Sequence, residues 1–191
     1  MSETLAPLVA AARNGDRQAF EEIVRLTSAD TYTLAYRLTG NDDDARDVVQ
    51  EAYLRSYRSI AKFRGDARFT TWMYRITANC AINHLESRRR HRHDELADDT
   101  PVADRSVERD PQARVDAGAL RDQLTAALQE LPPRLRAVIV LRDIYDLPHE
   151  AIAAELGISE SAAKVRLHRA RRRLREQLFP LPGEEEAARA V

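Results

Sequence analysis

The chain is poor in the residues that build disulfide scaffolds, barrels and membrane spans. One cysteine among 191 residues, Cys80, excludes an intrachain disulfide framework and a cysteine-rich zinc site. Six glycines, eight prolines and an aromatic content of 6% argue against a sandwich or barrel, whose strands draw on aromatic and β-branched residues and whose connections need many turns. No apolar run approaches the ~18 residues of a transmembrane helix, so no direct membrane insertion is expected. Met1 to Ala12 carry Glu3 and no basic segment ahead of a short apolar stretch, which is unlike a secretory leader. The chain therefore reads as cytoplasmic. What remains is 43% hydrophobic and 32% charged, the composition of an all-α protein of one or two small domains.

Net charge is −1, which alone argues against a nucleic-acid binder. Its distribution argues the other way. Residues 160–178 carry seven lysines and arginines against Glu160 and Glu176, and residues 88–92 hold four arginines. Residues 42–51 set five carboxylates against Arg46. Separated patches of opposite sign let the local field govern each contact.

Apolar spacing predicts a chain of helices. Phe20, Ile23, Val24, Leu34 and Leu38 lie at helical intervals within 18–38, after a turn and candidate cap at Asn14-Gly15-Asp16. Gly40-Asn41-Asp42 interrupts the pattern. A helix from about Asp43 to Ile60 follows, with Val49, Ala52, Tyr53, Ser56, Tyr57 and Ile60 on one stripe. KFRGDARF (62–69) reads as a loop, and Thr70 or Thr71 can cap a helix that turns Trp72, Met73, Ile76, Cys80 and Leu85 inward. Residues 91–118 then change character: 94–116 hold eight carboxylates against three arginines, with Pro101 and Pro111 and few large apolar groups. Such a segment cannot offset its own ordering entropy and reads as a flexible acidic linker. Helical periodicity resumes at Leu120, Leu124, Ala127, Leu128 and Leu131, restarts after Pro132-Pro133, and continues through the buried stretch AVIVL (137–141). The expected organisation is an amino-terminal domain over 1–90, the linker at 91–118, a second domain over 119–179 and a disordered tail at 180–191.

Within the second domain, a short helix with Ile152, Ala153 and Leu156 precedes Gly157-Ile158-Ser159 and a longer basic helix. That is a helix-turn-helix signature. At 100° per residue, Ala163, Leu167, Ala170 and Leu174 share one face. Ser161, Val165, His168, Arg169 and Arg172 occupy the opposite one. Lys164, Arg171 and Arg175 line one flank, Arg166 and Arg173 the other. Short or bidentate side chains reach base edges from such a helix while flanking cations meet phosphates.

A second nucleic-acid surface is suggested by residues 63–90, where Phe63, Arg64, Arg68, Phe69, Trp72, Tyr74, Asn79, Asn83 and Arg88 to Arg90 set aromatics beside cations. Unpaired bases stack on rings while cations neutralise the backbone. Trp72 and Met73 read better as core; Phe63 and Asn79 do not. Cys80 and His84, with His91 and His93 beyond, could be a zinc or redox site, but one thiol beside one histidine reads as a buried structural cysteine. Asp42 to Asp44 sit at a helix start, where carboxylates offset the dipole. No glycine-rich phosphate loop or catalytic constellation stands out. No enzyme and no cofactor are expected.

DDARDVVQEAYLRSYRSIAKFRGDARFTTWMYRITANCAINHL (43–85) strongly resembles region 2 of the extracytoplasmic-function (ECF) sigma factors of bacterial RNA polymerase. LQELPPRLRAVIVLRDIYDLPHEAIAAELGISESAAKVRLHRARRRL (128–174) resembles their region 4. The resemblance covers nearly all of the chain outside the linker and tails. It implies an all-α protein of two small helical domains that joins core RNA polymerase at the β′ clamp and β flap and directs initiation at promoter DNA. It further implies a monomer when free, often held inactive by an anti-sigma factor.

On that resemblance, Asp47, Gln50 and Glu51, with Asp43, Arg46, Leu54 and Arg55, would dock the β′ clamp, as suits an acidic amphipathic helix meeting a basic helical partner. Phe63 and Arg64 in the loop, with Asn79 and Asn83, would read the −10 element, Asn79 contacting a base flipped from the non-template strand. Arg88, Arg89 and Arg90 would hold phosphates there. Lys164, Val165, His168 and Arg169 would face bases of the −35 element, while Arg166, Arg171 and Arg172 neutralise its backbone. Where many members read G-T-V-K/R-S, this chain has Ser161-Ala162-Ala163-Lys164-Val165. Val165 cannot donate a hydrogen bond but can meet a thymine methyl. The acidic linker would thread toward the polymerase active-site channel, mimicking nucleic acid by its charge. The competing reading is a conventional helix-turn-helix regulator that binds duplex operators as a dimer.

Overall fold

The computed structural model describes residues 2–65, 68–95 and 117–179. The described residues form helices and turns without a strand. Most of the expected linker (96–116) and the expected tail (180–191) lie outside them.

Four helices make the amino-terminal half. α1 (Ser2–Arg13) was not legible as a helix from composition, yet it buries Leu5, Val9 and Ala12, one face at i, i+4, i+7. α2 (Arg17–Thr39) starts where Asp16 accepts a hydrogen bond from the Ala19 N–H at 3.0 Å. It ends at Gly40, whose φ of 85° lets its N–H close on the Tyr36 carbonyl at 2.8 Å. α3 (Asp42–Ser59) is capped by Asn41, and a 3₁₀ turn (Ile60–Lys62) follows it. α4 begins at Phe69, ahead of either candidate threonine cap, and runs to Glu95, past Arg90. α2, α3 and α4 pack on one another and α1 closes against α2. Between α2 and α3, the Thr27 and Thr31 hydroxyls donate back to the Ile23 and Thr27 carbonyls and share hydrogen bonds with the buried Tyr53 hydroxyl at 2.8 and 3.0 Å. This satisfies a polar cluster inside an apolar bundle.

Asp44 fastens α3 to α4. Its buried carboxylate accepts from the Asn41 side-chain amide at 2.7 Å, from His84 Nε2 at 2.8 Å and from Arg88. Burial pushes its pKa up, but Asn41, His84 and Arg88 together outweigh that and hold it below the ordinary carboxylate value.

The carboxy-terminal half comprises α5 (Ala117–Glu130), α6 (Pro133–Ile139), a π-helical turn (Val140–Ile144), α7 (His149–Leu156) and α8 (Glu160–Leu178). Pro133 opens α6. All five residues of AVIVL are buried, the first three on α6 and the last two in the π turn. α5, α6 and α7 each pack on α8.

The two halves lie against each other and share one continuous buried core. α5 and α6 meet α2, and α6 and α7 meet α4. Arg136, only 5% exposed, is the polar centre of this junction. Its Nη1 donates to the Leu38 carbonyl at the end of α2 at 2.5 Å, and its Nη2 to the Leu131 carbonyl at 3.0 Å; the Gln129 side-chain and backbone oxygens accept as well. The cation thus faces the negative ends of two helices, one from each half. Burial pulls its pKa down to about 10, so it stays charged at neutral pH. Beside it, Gln129 donates to the Arg37 carbonyl at 3.1 Å and lies over Gly40, where a Cβ would come within 2.4 Å of the Gln129 side chain. Arg134 pairs with Glu86 at 2.6 Å. Tyr145 meets the Tyr74 ring edge-on at 4.5 Å between centroids and accepts from Arg37 at 3.0 Å.

Arg136→Ala orphans carbonyls at both helix ends and is expected to cost about 3 kcal/mol by urea unfolding. Arg136→Lys should restore less than half of that, because an ammonium cannot fork to both helix ends. Asp44→Asn is expected to cost about 2 kcal/mol at pH 7. A depressed native pKa contributes stability above the unfolded value of about 3.9 and loses it as pH falls through the native value. The gap between wild type and Asp44→Asn should therefore close on acidification below about pH 4.

Candidate nucleic-acid interface

α3 turns Asp44, Ala45, Val48, Ala52, Tyr53 and Ser56 into the bundle. That leaves Asp43, Arg46, Asp47, Gln50, Leu54 and Arg55 exposed, with Glu51 half-buried. Arg46 bonds Asp42 at 2.7 Å and Arg55 bonds Glu51 at 2.5 Å, each one turn apart. Leu54 is 44% exposed, an apolar centre on a charged face. Tyr57, on the expected buried stripe, is exposed but sets its ring against Phe20 at 5.0 Å.

The loop after α3 holds a correction. Phe63 is 9% exposed and belongs to the core. Its N–H closes the 3₁₀ turn on the Ile60 carbonyl, and the ring packs on Phe69 at 5.8 Å and Trp72 at 5.2 Å. The turn directs the ring inward, which sequence spacing does not reveal. A cleft of about 280 Å³ opens beside this aromatic group, with Leu5, Val9 and Arg13 of α1 on one wall and Phe63, Arg68 and Phe69 on the other. Met73 is buried and Trp72 half-buried, consistent with their core reading. Arg64 is exposed.

Asn79 is half-buried and Asn83 exposed, one turn apart on α4. Asn79 is not open: its amide donates to the Glu155 carbonyl at 2.7 Å and the Glu155 Oε1 at 3.2 Å. Arg75, one turn earlier, donates to Glu155 Oε2 through Nε at 3.1 Å and Nη2 at 3.0 Å. Arg88, Arg89 and Arg90 are exposed at the far end of α4, with Arg88 engaged by Asp44. Cys80 is buried, and burial pushes its thiol up to about 11.

α7 and α8 form the helix-turn-helix. Gly157 takes φ 62° and closes α7, and the Ser159 hydroxyl accepts from the Ala162 N–H at 3.1 Å to start α8. Ala163, Leu167, Ala170 and Leu174 are buried. Lys164, Val165, His168, Arg169, Arg171 and Arg172 are exposed, with Val165 at 48%, while Arg166 is half-buried. Lys164 pairs with Glu160 at 2.7 Å and Arg172 with Glu176 at 3.4 Å. Arg171 forks onto Asp143 at 2.9 and 2.6 Å, tying α8 to the π turn.

Residues 23–91 match the family Sigma-70 region 2, and residues 121–174 match Sigma-70, region 4. Among curated relatives, the RNA polymerase sigma-H factor of Pseudomonas aeruginosa is 33% identical over 91% of this chain and 93% of its own. The ECF RNA polymerase sigma factor SigW of Bacillus subtilis is 33% identical over 88% and 94%. The chain belongs to the ECF RNA polymerase sigma factors. A longer relative, the ECF sigma factor SigE of Mycolicibacterium smegmatis, is 38% identical over 86% of this chain, which spans 64% of that protein. Two solved structures share the fold. The Bartonella quintana sigma factor RpoE, in complex with the anti-sigma factor NepR, has a TM-score of 0.62 at 23% identity, covering 84% of this chain and 97% of that one. CnrH, in complex with the cytosolic domain of CnrY, has a TM-score of 0.60 at 25% identity, covering 90% and 94%. Within this family frame, the two matched regions hold the α3–α4 surfaces and the helix-turn-helix. Arg75, Glu155 and the wall supplied by α1 are residues that sequence reasoning missed. The α1 spacing carried a usable signal; the contact of Glu155 with α4 joins segments about eighty positions apart and had none.

Cys80 makes a direct check of packing. With its pKa at about 11, its thiolate fraction near neutral pH should be lower than that of a free thiol by roughly a hundredfold. Labelling with a disulfide reagent should be slower by about that factor in buffer and become fast in urea.

Proposed function

We propose that this protein joins core RNA polymerase through α3 and directs promoter-specific initiation, with α4 and its preceding loop reading the −10 element and α8 reading the −35 element. The observation that carries the reading is the presence, on one chain, of an acidic helix face and two basic, partly exposed helices within the two matched sigma regions. Asp43, Arg46, Asp47, Gln50, Glu51, Leu54 and Arg55 supply the clamp-docking face. Leu54 gives it an apolar anchor and the carboxylates steer a basic partner. The carboxy-terminal half meets the β flap.

In the −10 assignment, Asn79 reads a flipped base, Asn83 and Arg64 flank it, and Arg88 to Arg90 hold phosphates. Phe63 acts from within the core as a support for the loop and as one wall of the adjoining cleft. In the −35 assignment, Lys164, Val165, His168 and Arg169 approach base edges and Arg166, Arg171 and Arg172 the backbone. The expected domains, 1–90 and 119–179, take the two promoter elements. The protein makes and breaks no bonds itself. Among the described residues no helix is long and apolar enough to cross a membrane, which fits a cytoplasmic factor. The anti-sigma factor NepR bound to RpoE in its solved complex supports control of this chain by an anti-sigma protein.

In vitro transcription with purified core polymerase on a promoter library tests the reading. Wild type should give core-dependent, promoter-specific initiation. Asn79→Ala and Lys164→Ala should each lose about tenfold or more, as loss of a specific base contact worth about 1–3 kcal/mol implies. Tight duplex binding by the free protein, with no initiation alongside core, would replace this reading with that of a dimeric operator-binding regulator.

A further inference from the structure

We propose that the cleft between α1 and the loop before α4 is a binding site for a free linear aliphatic carboxylate of medium length. The proposal goes beyond the sigma reading and does not rest on it. None of the residues lining this cleft lines the one, about 340 Å³, that Arg58, Ile76 and Asn79 border.

The floor is made of core side chains. Leu5 and Val9 of α1 and Phe63 and Phe69 on the loop side are only 5–9% exposed. Ala6 and Ala10, one turn apart on α1, are small and exposed, and leave open the space that longer side chains would fill. A cavity of about 150 Å³ takes a six-carbon ring. By proportion, the 280 Å³ here takes a chain of about ten carbons.

The rim decides the head group. Arg13, in the last turn of α1, and Arg68, just ahead of α4, are both exposed at this cleft. Among the described residues no carboxylate lines it, and neither guanidinium has an ion-pair partner. Arg17, Arg25, Arg46 and Arg55 differ, each having a carboxylate about one turn away. Two unpaired guanidinium groups over an apolar floor suit a ligand with an apolar chain and an anionic head, which a guanidinium meets by forked, charge-assisted bonds. A peptide fits less well. Its backbone needs polar partners along the floor, and two aliphatic and two phenyl side chains offer none.

The structure supplies its own reporter. Trp72 is the only tryptophan in the chain, and its ring lies 5.2 Å from that of Phe63 and 5.4 Å from that of Phe69. The test titrates the full chain with sodium decanoate, followed by tryptophan emission and by calorimetry. Saturable binding is expected. From hexanoate to decanoate, affinity should rise about twofold per methylene, half the effect of full burial because the cleft is open to solvent, and then level off. Arg13→Gln and Arg68→Gln should each weaken decanoate about threefold, the scale of an exposed ion pair. In the double variant, decanoate should bind no better than decanol, a difference that mere loosening of the fold would not erase. Ala10→Phe, at an exposed position, should fill the cleft and abolish binding. Neither heat nor emission change with decanoate overturns the proposal, as does undiminished binding to Ala10→Phe. Decylamine binding as tightly as decanoate overturns the anionic head. An equal response to phosphatidylglycerol vesicles replaces the free acid with a membrane surface. Core-dependent initiation tests the sigma reading separately, and none of these outcomes bears on it.

Discussion

A cation buried without a carboxylate is costly unless something else supplies negative potential. Arg136 solves this with helix ends. The terminal carbonyls of α5 and the Leu38 carbonyl of α2 point at the two Nη groups of one guanidinium, while its buried Nε is left without a hydrogen-bond partner. The arrangement is asymmetric. The bonds to Gln129 and Leu131 lie within the carboxy-terminal half, whereas the bond to Leu38 crosses the junction. If the halves part, Arg136 keeps its local partners and water can replace the carbonyl of α2. One residue therefore stabilises its own half permanently and the junction reversibly, a suitable property for a chain whose two halves are proposed to contact separate stretches of DNA.

The same economy governs the reading surfaces. Each is the residue of a packing decision on its opposite face. Burying Asp44, Val48, Ala52 and Ser56 defines which side chains of α3 face outward, and burying Ala163, Leu167, Ala170 and Leu174 does so for α8. Small residues matter here, since Ala163 and Ala170 let α8 lie close on its neighbours and so fix the angle at which its basic face is presented. Phe63, Phe69 and Trp72 do the equivalent for the loop before α4, where an aromatic cluster anchors the turn.

The sequence made the helices legible because each carries its own apolar period and, at Asp16, Asn41, Gly157 and Ser159, its own start or stop. The inward face of α8 was legible for the same reason. α1 escaped notice although its spacing is regular, because a short apolar stretch at a chain start reads first as a leader to be excluded. The burial of Phe63 is not legible in its spacing, because a 3₁₀ turn, not a helical period, sets its direction. The contacts between the halves left no local trace at all. Arg75, Arg136 and Glu155 look like ordinary helix charges until the fold places partners from distant segments against them. Asp44 shows both sides: its place at a helix start was readable, but its bonds to His84 and Arg88 were not.

Behind the near-zero net charge, several cations are paired within the chain. Arg75 has Glu155, Arg134 has Glu86, Lys164 has Glu160 and Arg171 has Asp143. A protein whose cations are already neutralised internally does not shed a free ion for each phosphate it meets; it exchanges one anion for another. The displaced carboxylates then gather mobile cations of their own, offsetting part of the counterion release that ordinarily drives binding to DNA. Affinity for promoter DNA should accordingly depend on ionic strength less steeply than the number of phosphate contacts alone would suggest, leaving more of the discrimination to shape and base chemistry.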